Sequence, residues 1–210
     1  MTIEFFVGLD LGQTTDPSAV AVLERRGGAM PTYSLRHLQR FPLGTPYTTV
    51  ATAVVKLTQT PPLRGRCALE VDQTGVGRPV VELLRQLPAV PFLVPITITG
   101  GFRGTRASDS WHVPKRDLVG GLQAAVQARR LLIAGGLCDA DTLMTEMANF
   151  RVAITPTAQE TFGAARAGQH DDLVLAVALA VFTADRFPHM GRVPSDGSST
   201  GNTPQGAFAS

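Results

Sequence analysis

The feature that most restricts the fold is a fully apolar segment close to the end of the chain. Residues 173–182, "LVLAVALAVF", carry no polar side chain, and a helix that is apolar all round has to be buried. The segment is only about half as long as a membrane-spanning helix requires. Ala176, Ala178 and Ala180 are small enough to let such a helix lie close against a sheet. We therefore expect a central helix packed inside a globular domain.

The preceding segments alternate between strand and helix patterns. Apolar and β-branched residues predict strands at 3–11, 19–25, 33–41, 66–72, 92–99 and 151–155. Helical spacing and end signals predict helices at 47–60, within 73–87, and at 113–132, 140–150 and 170–186. Residues 100–112 are expected to form a polar loop or hairpin. Three strands, a helix, a strand and a second helix is the order of an RNase H-like α/β fold, with a mixed central sheet flanked by helices.

Two of the predicted strands end in a carboxylate. Asp10 closes the first strand in "VGLDLGQTT", and Asp72 closes "ALEVD". A right-handed crossover would pair these strands in parallel and place both aspartates at one carboxyl edge of the sheet, where open α/β sheets place their sites. Glu70 lies on the same face as Asp72, where it either acts as a base or pairs with an arginine.

Two more carboxylates, Asp171 and Asp172, open the buried helix in "HDDLVLAVALA". One of them is explained as a helix cap and dipole partner, but the helix would also bring both to the strand ends. Asp16, in the turn after Asp10, is either a further ligand or a turn former before Pro17. Oxygen ligands without a His or Cys cluster suit Mg²⁺ or Mn²⁺. Two such ions about 3.5–4 Å apart would support hydrolysis of a phosphodiester.

The glycines around the first aspartate allow a different interpretation. "GLDLG" also resembles the phosphate-binding hairpin of the sugar-kinase and heat-shock-protein ATPases. That class needs two lobes and a second Gly-rich loop, hence a far longer chain. The formal net charge of +2 is too small to establish an anionic partner by itself.

Over residues 7–186 the sequence resembles the C-terminal nuclease domain of the large terminase subunit of tailed bacteriophages. Four segments carry this resemblance, in order: "GLDLGQTTDPSAVAVLE", "EVDQTGVGRPVVELL", "HVPKRDLVGGLQ" and "GQHDDLVLAVALA". It implies a metal-dependent endonuclease that cuts concatemeric double-stranded DNA during genome packaging. It also implies a catalytic, metal-binding triad of Asp10, Asp72 and Asp172, with Asp16 and Asp171 at accessory acidic positions.

The same resemblance implies DNA contacts and protein partners. Segment 100–112 matches a family hairpin or loop beside the active site, where Arg103 and Arg106 would touch DNA. Lys115 matches a family lysine near the site, although a solvated residue in a helix's first turn explains it equally well. The implied partners are a packaging ATPase domain and a portal protein. The chain has no G-x-x-x-x-G-K-[ST] motif, so we expect an excised domain or a stand-alone nuclease.

Two rival functions stay open at this point. A RuvC-like Holliday-junction resolvase would share the fold, the metals and the acidic final helix, and a catalytically inactive RNase H-like module would bind DNA or a motor partner. We expect one domain at residues 1–187 and a disordered tail at 188–210, which is rich in Gly, Ser, Pro and Thr. With no leader and no membrane segment, we expect the cytoplasm, that of the host cell if the gene is viral.

Overall fold

The protein is described by a computed structural model for residues 4–12, 16–28, 30–101, 103–154, 160–164 and 170–186, with only the backbone given at 151–154 and 160–164. The strands are β1 (Phe5–Asp10), β2 (Ala19–Arg26), β3 (Thr32–Arg40), β4 (Cys67–Asp72), β5 (Phe92–Thr99), β6 (Thr105–Arg106), β7 (Trp111–Pro114), β8 (Leu131–Ile133), β9 (Phe150–Ile154) and β10 (Glu160–Ala164). The helices are α1 (Tyr47–Thr58), α2 (Gly77–Gln86), α3 (Lys115–Gln127), α4 (Ala140–Asn149) and α5 (Asp172–Arg186).

Eight strands form one mixed sheet in the order β6-β7-β5-β4-β1-β2-β3-β8. The first three strands form an antiparallel meander, β1-β2-β3. Strand β4 pairs with β1 in parallel, and β5 and β7 continue that direction outward. Strands β9 and β10 form a separate antiparallel hairpin. The predicted mixed sheet flanked by helices is therefore confirmed, including the parallel pairing of β1 with β4.

The sheet separates two apolar layers. Helices α1 and α2 cover one face, where Val50, Val54 and Leu84 pack on Val7 and Leu9 of β1. Helices α3, α4 and α5 cover the other face, and α5 contacts β1, β2, β3 and β4. From Leu173 to Ala184 the side chains of α5 are buried on all sides, as its sequence predicted.

The structure corrects some of the predicted boundaries. The helix predicted at 113–132 runs only from Lys115 to Gln127, because Val113 and Pro114 belong to β7 and Leu131–Ile133 form strand β8 beside β3. The segment 100–112 contributes a short hairpin, β6-β7, to the edge of the sheet. No helix in the described ranges is both long and apolar enough to span a bilayer. The tail predicted at 188–210 lies outside the described residues, and the domain boundary at 187 stays a prediction.

Candidate functional site

Asp10 and Asp72 lie side by side at the carboxyl ends of two parallel strands. Leu9 of β1 pairs in register with Val71 of β4, so the aspartates that follow are neighbours. Alternation along each strand turns both side chains toward α5, the face on which Phe6 packs. The edge predicted from the sequence is thus the one on which these two carboxylates lie.

Asp10 occupies an unfavourable position for a negative charge. Its side chain is buried, with only 7% of the residue exposed. Burial raises the pKa of the Asp10 carboxyl well above its usual range, and the charges of Asp72, Asp171 and Asp172 raise it further. Lys115 acts in the opposite direction and lowers it. A bound cation would relieve both the burial and the repulsion.

The turn after β4 holds Asp72. Its Oδ1 accepts a hydrogen bond of 2.8 Å from the backbone N–H of Thr74, whose hydroxyl accepts a 2.8 Å bond from the N–H of Ile98. A side chain on Gly77 would clash with the carbonyl oxygen of Asp72, so only glycine lets α2 start this close to the strand. Burial raises the pKa of Asp72, while the Thr74 bonds and the charge of Lys115 offset part of that rise.

Helix α5 brings the other two carboxylates to this edge because it lies very close to β1. A Cβ atom on Gly8 would clash with the backbone carbonyl of Ala176, so a glycine is required where strand and helix cross. The helix begins at Asp172, and the N–H of Leu175 donates to the carbonyl of Asp171 at 2.9 Å. Asp171 therefore immediately precedes the helix and Asp172 opens its first turn, so both lie above the strand ends.

Lys115, the first residue of α3, lies among these carboxylates. Its Nζ is 2.9 Å from Oδ2 of Asp171 and 5.8 Å from the centre of the Phe150 ring. Its charge also lowers the pKa values of Asp10 and Asp72. The structure thus places the ammonium group inside the acidic cluster.

Arg40, the last residue of β3, binds Asp172. Its Nε donates to Oδ2 of Asp172 at 2.7 Å, and its Nη2 is 3.2 Å from Oδ1. Nη2 also donates to Glu146 of α4, and the other Glu146 oxygen accepts a 3.2 Å bond from the N–H of Val174. Burial raises the pKa of Asp172, and Arg40 offsets part of the rise. Burial and the charge of Asp172 raise the pKa of Glu146 to about 7.

The donor set fits a hard divalent cation in its chemistry. Asp10, Asp72, Asp171 and Asp172 supply only carboxylate oxygens, which suit Mg²⁺ or Mn²⁺. Within the described ranges, no three His, Cys, Asp or Glu side chains are close enough together to form a ready-made metal group. Two of the four carboxylates are instead held by the cations of Lys115 and Arg40.

The other acidic residues considered from the sequence lie away from this cluster. The side chain of Asp16 is 58% exposed, and its Oδ1 is 3.2 Å from Nδ1 of His170 at the rim of the site. Glu70 is completely buried, and no side chain among the described residues pairs with its carboxyl group. Burial raises the pKa of Glu70 well above its usual range. The arginine partner considered for Glu70 is therefore absent among the described residues.

The two predicted DNA-binding arginines are exposed on the hairpin at the sheet edge. The guanidinium of Arg106 lies 5.3 Å from the centre of the Trp111 ring. Pairing across the sheet places Arg106, Trp111, Ile96 and Asp72 in one row. At about 4.8 Å per strand, Arg106 is roughly 14 Å from Asp72 on the same face. Arg103 precedes this strand in the same loop.

Sequence reasoning missed Arg40 and Glu146. Arg40 ends a strand that alternates polar and apolar residues, so its charge looked like an ordinary solvent-facing one. Glu146 is the only charged residue in "TLMTEMANF". A single acidic residue in an otherwise uncharged helix segment is the pattern that could have predicted a buried ion pair here.

No model of a protein family matches the sequence, and no curated protein sequence does. Solved structures with the same arrangement do exist. The large terminase nuclease of the thermophilic phage G20c is 22% identical, with a TM-score of 0.64 over 85% of this chain and 81% of that one. The chain has an RNase H-like fold.

Two further RNase H-like structures were solved with metal. The G20c nuclease with bound magnesium is 22% identical, with a TM-score of 0.63 over 86% of this chain and 80% of that one. The nuclease domain of the large terminase from bacteriophage SPP1, with bound Mn, is 11% identical, with a TM-score of 0.54 over 84% of each chain. The resemblance to large terminase nuclease domains is thereby confirmed at the level of the fold.

Proposed function

We propose that this protein is a metal-dependent endonuclease that hydrolyses phosphodiester bonds of double-stranded DNA. The observation that carries the proposal is the cluster of Asp10, Asp72, Asp171 and Asp172 at the carboxyl edge of the sheet, where burial and the charges of the other three raise the pKa of the Asp10 carboxyl. A site with this charge balance favours cation binding. The metals in the G20c and SPP1 structures support the choice of Mg²⁺ or Mn²⁺.

The chain's own residues would divide the work as follows. Asp10 and Asp72 supply ligands from the rigid strands, and Asp171 and Asp172 supply ligands from α5. Two Mg²⁺ or Mn²⁺ ions would activate a water and stabilise the leaving oxygen. Lys115, within 2.9 Å of Asp171, neutralises part of the cluster and would have to give up that contact for the aspartate to hold a metal ion. Asp16, at the rim beside His170, would have to turn inward from its exposed position to serve as the accessory ligand.

The DNA backbone would cross the site toward the β6-β7 hairpin. Arg106 and Arg103 are exposed there, roughly 14 Å from Asp72 along the sheet. The Trp111 ring limits the freedom of the Arg106 guanidinium, so less entropy is lost when it contacts a phosphate. These arginines would contact phosphates flanking the cut and hold the duplex in place without selecting a sequence.

The biological setting proposed is the cutting of concatemeric viral DNA during genome packaging, in the cytoplasm of the host cell. The fold shared with phage terminase nucleases supports this setting. A packaging ATPase domain and a portal protein are the partners that this role requires.

The first experiment is plasmid cleavage beside the variant Asp72→Asn. Supercoiled plasmid is incubated with the protein in Mn²⁺, in Mg²⁺ and in EDTA, and the nicked and linear products are followed. We expect metal-dependent cutting and a loss of about a hundredfold or more in the variant, because one ligand oxygen loses its charge. The asparagine oxygen still accepts the Thr74 bond, so the fold should stay intact and the metal-free protein should become slightly more stable.

Cutting that survives in EDTA, or wild-type rates in Asp72→Asn, would overturn the proposal. A preference for four-way junctions over linear duplex would indicate a junction resolvase.

A DNA-binding module without catalysis is the second candidate. The ion pairs of Arg40 with Asp172 and Lys115 with Asp171 favour it, since they already satisfy two of the four carboxylates. Calorimetric titration with Mn²⁺ separates the two candidates. The nuclease binds the ion through its carboxylates, whereas the inactive module shows DNA binding in EDTA and no metal site.

A further inference from the structure

We propose that Arg40 is a positioning residue of the metal site, which together with Glu146 fixes the orientation of the Asp172 carboxylate. This inference rests on the proposed nuclease function and extends it to a part of the molecule outside the aspartate cluster.

The contact between Arg40 and Asp172 defines an orientation as well as a charge. Two nitrogens of the guanidinium reach the two oxygens of the carboxylate, at 2.7 Å and 3.2 Å. This paired contact fixes the plane of the carboxylate, which a single ammonium contact cannot do. Asp172 is 3% exposed, so water does not compete strongly for it. A carboxylate has about four lone-pair sites, and the paired contact leaves some of them for a cation.

Glu146 anchors the arginine from the opposite side. One of its oxygens accepts from Arg40 and the other accepts from the N–H of Val174 in α5. The backbone N–H of Arg40 donates in turn to Oδ2 of Asp139 at 3.0 Å. The arginine is therefore fixed at its backbone and at its guanidinium, and β3, α4 and α5 meet at this point.

The charge balance argues against simple neutralisation of Asp172. One guanidinium is shared between two carboxyl groups, those of Asp172 and Glu146, so its charge is not devoted to Asp172 alone and Asp172 remains available to a cation. Asp171, by contrast, is held by the single ammonium of Lys115 on a flexible stem. The geometrically fixed ion pair, Arg40–Asp172, and the more loosely held one, Lys115–Asp171, thus involve neighbouring aspartates.

The two possible roles of Arg40 predict opposite effects on metal affinity. If Arg40 only competes with the metal for Asp172, removing its charge strengthens Mn²⁺ binding. If it positions Asp172, removing it weakens binding, as partners of metal ligands do by about 10–100-fold. Arg40→Lys keeps the charge but loses the paired contact, so positioning predicts weaker binding for this variant as well.

The test is titration calorimetry of the full chain with Mn²⁺, in the absence of DNA, for wild type, Arg40→Gln, Arg40→Lys and Glu146→Gln. The matched control is Arg36→Gln, which removes an arginine of the same strand that pairs with Glu24, remote from the site. Urea unfolding in EDTA identifies any variant that fails to fold. The Mn²⁺ concentration needed for half-maximal plasmid nicking is the second readout.

We expect both Arg40 variants to bind Mn²⁺ at least about tenfold more weakly, with a smaller loss in Glu146→Gln and none in Arg36→Gln. If Arg40→Gln does not fold, Arg40→Lys and Glu146→Gln decide the matter. Unchanged or tighter Mn²⁺ binding in folded variants overturns the positioning role while wild type still binds metal and cuts. Wild type that neither binds Mn²⁺ nor cuts overturns the nuclease proposal and this inference with it.

Discussion

At the scale of single residues, the candidate site is a set of carboxylates in positions that disfavour their charged form. Asp10, Asp72 and Asp172 all have raised pKa values, with burial as the largest cause. Their positions could be predicted because each follows from one local rule, a carboxylate at the end of a buried strand or in the first turn of a buried helix. The contact of Arg40 with Asp172 could not, because it depends on how β3 lies relative to α5.

Glu70 gives a prediction that is independent of the nuclease proposal. Its pKa is raised well above the usual range, so between pH about 4.5 and that raised value the folded state holds a proton that the unfolded state releases. Stability is therefore lost as the pH rises, by up to about 1.4 kcal/mol per pH unit. Glu70→Gln has no such group, so its free energy of unfolding relative to wild type should increase with pH.

Urea unfolding in EDTA at pH about 5 and about 8 measures this difference. Its pH dependence is the readout, because the buried amide adds a constant offset of its own. If the difference in unfolding free energy between Glu70→Gln and wild type were the same at both pH values, Glu70 would not hold a proton in the folded state as described.

At the scale of elements, the helices and most strands of the large sheet followed from periodicity and turn residues. Predicted and observed limits of the strand at 92–99 agree fully. Strand β8 was missed because three apolar residues after a helix fit either state, and pairing with β3 decides the outcome. The close packing of α5 was foreseen from its alanines. The matching glycine in β1 was not, since only the crossing point shows which strand residue must lack a side chain.

Gly8→Ala tests whether that crossing positions the site. The added methyl meets the carbonyl of Ala176, so α5 has to shift, and we expect a loss of about 1–3 kcal/mol in unfolding free energy. Plasmid cutting should slow as Asp171 and Asp172 move away from the strand ends.

Gly120→Ala in α3 is the matched control for this substitution. It has open space around the new methyl group and should raise stability by about 0.5–1 kcal/mol without affecting cutting. Normal stability and cutting in Gly8→Ala would show that α5 can accommodate the added methyl group, and that this crossing does not position the site.

At the scale of the whole molecule, the sheet collects charge from distant parts of the chain at one edge. Asp10, Arg40 and Asp72 come from strands, while Lys115 and Asp172 come from the first turns of helices on one face. Burial of this group is tolerated because the two apolar layers on either side of the sheet supply the folding energy. The metal-free fold therefore includes a region of net repulsion.

Binding of Mn²⁺ should therefore stabilise the entire domain, and more strongly at pH 8 than at pH 5. The raised pKa values of Asp10 and Asp72 mean that protons compete with the metal as the pH falls. At a hundredfold excess over the dissociation constant, we expect about 2.7 kcal/mol.

Urea unfolding with and without Mn²⁺ at both pH values measures this effect. In Asp10→Asn the metal-dependent gain should be largely lost. If Mn²⁺ raised the free energy of unfolding equally at both pH values, or raised it as much in Asp10→Asn as in wild type, the metal would bind elsewhere.

The arrangement of the strands also determines when, during synthesis, the site can exist. The meander carrying Asp10 and Arg40 and the strand carrying Asp72 leave the ribosome long before α5, which brings Asp171 and Asp172. A domain generally folds as a unit, and contacts between distant segments have to wait until both segments have been synthesised. A nascent chain without α5 therefore carries an incomplete site. In the proposed nuclease, the capacity to cut DNA would appear only once α5 has docked, so completion of the fold would itself prevent premature cleavage.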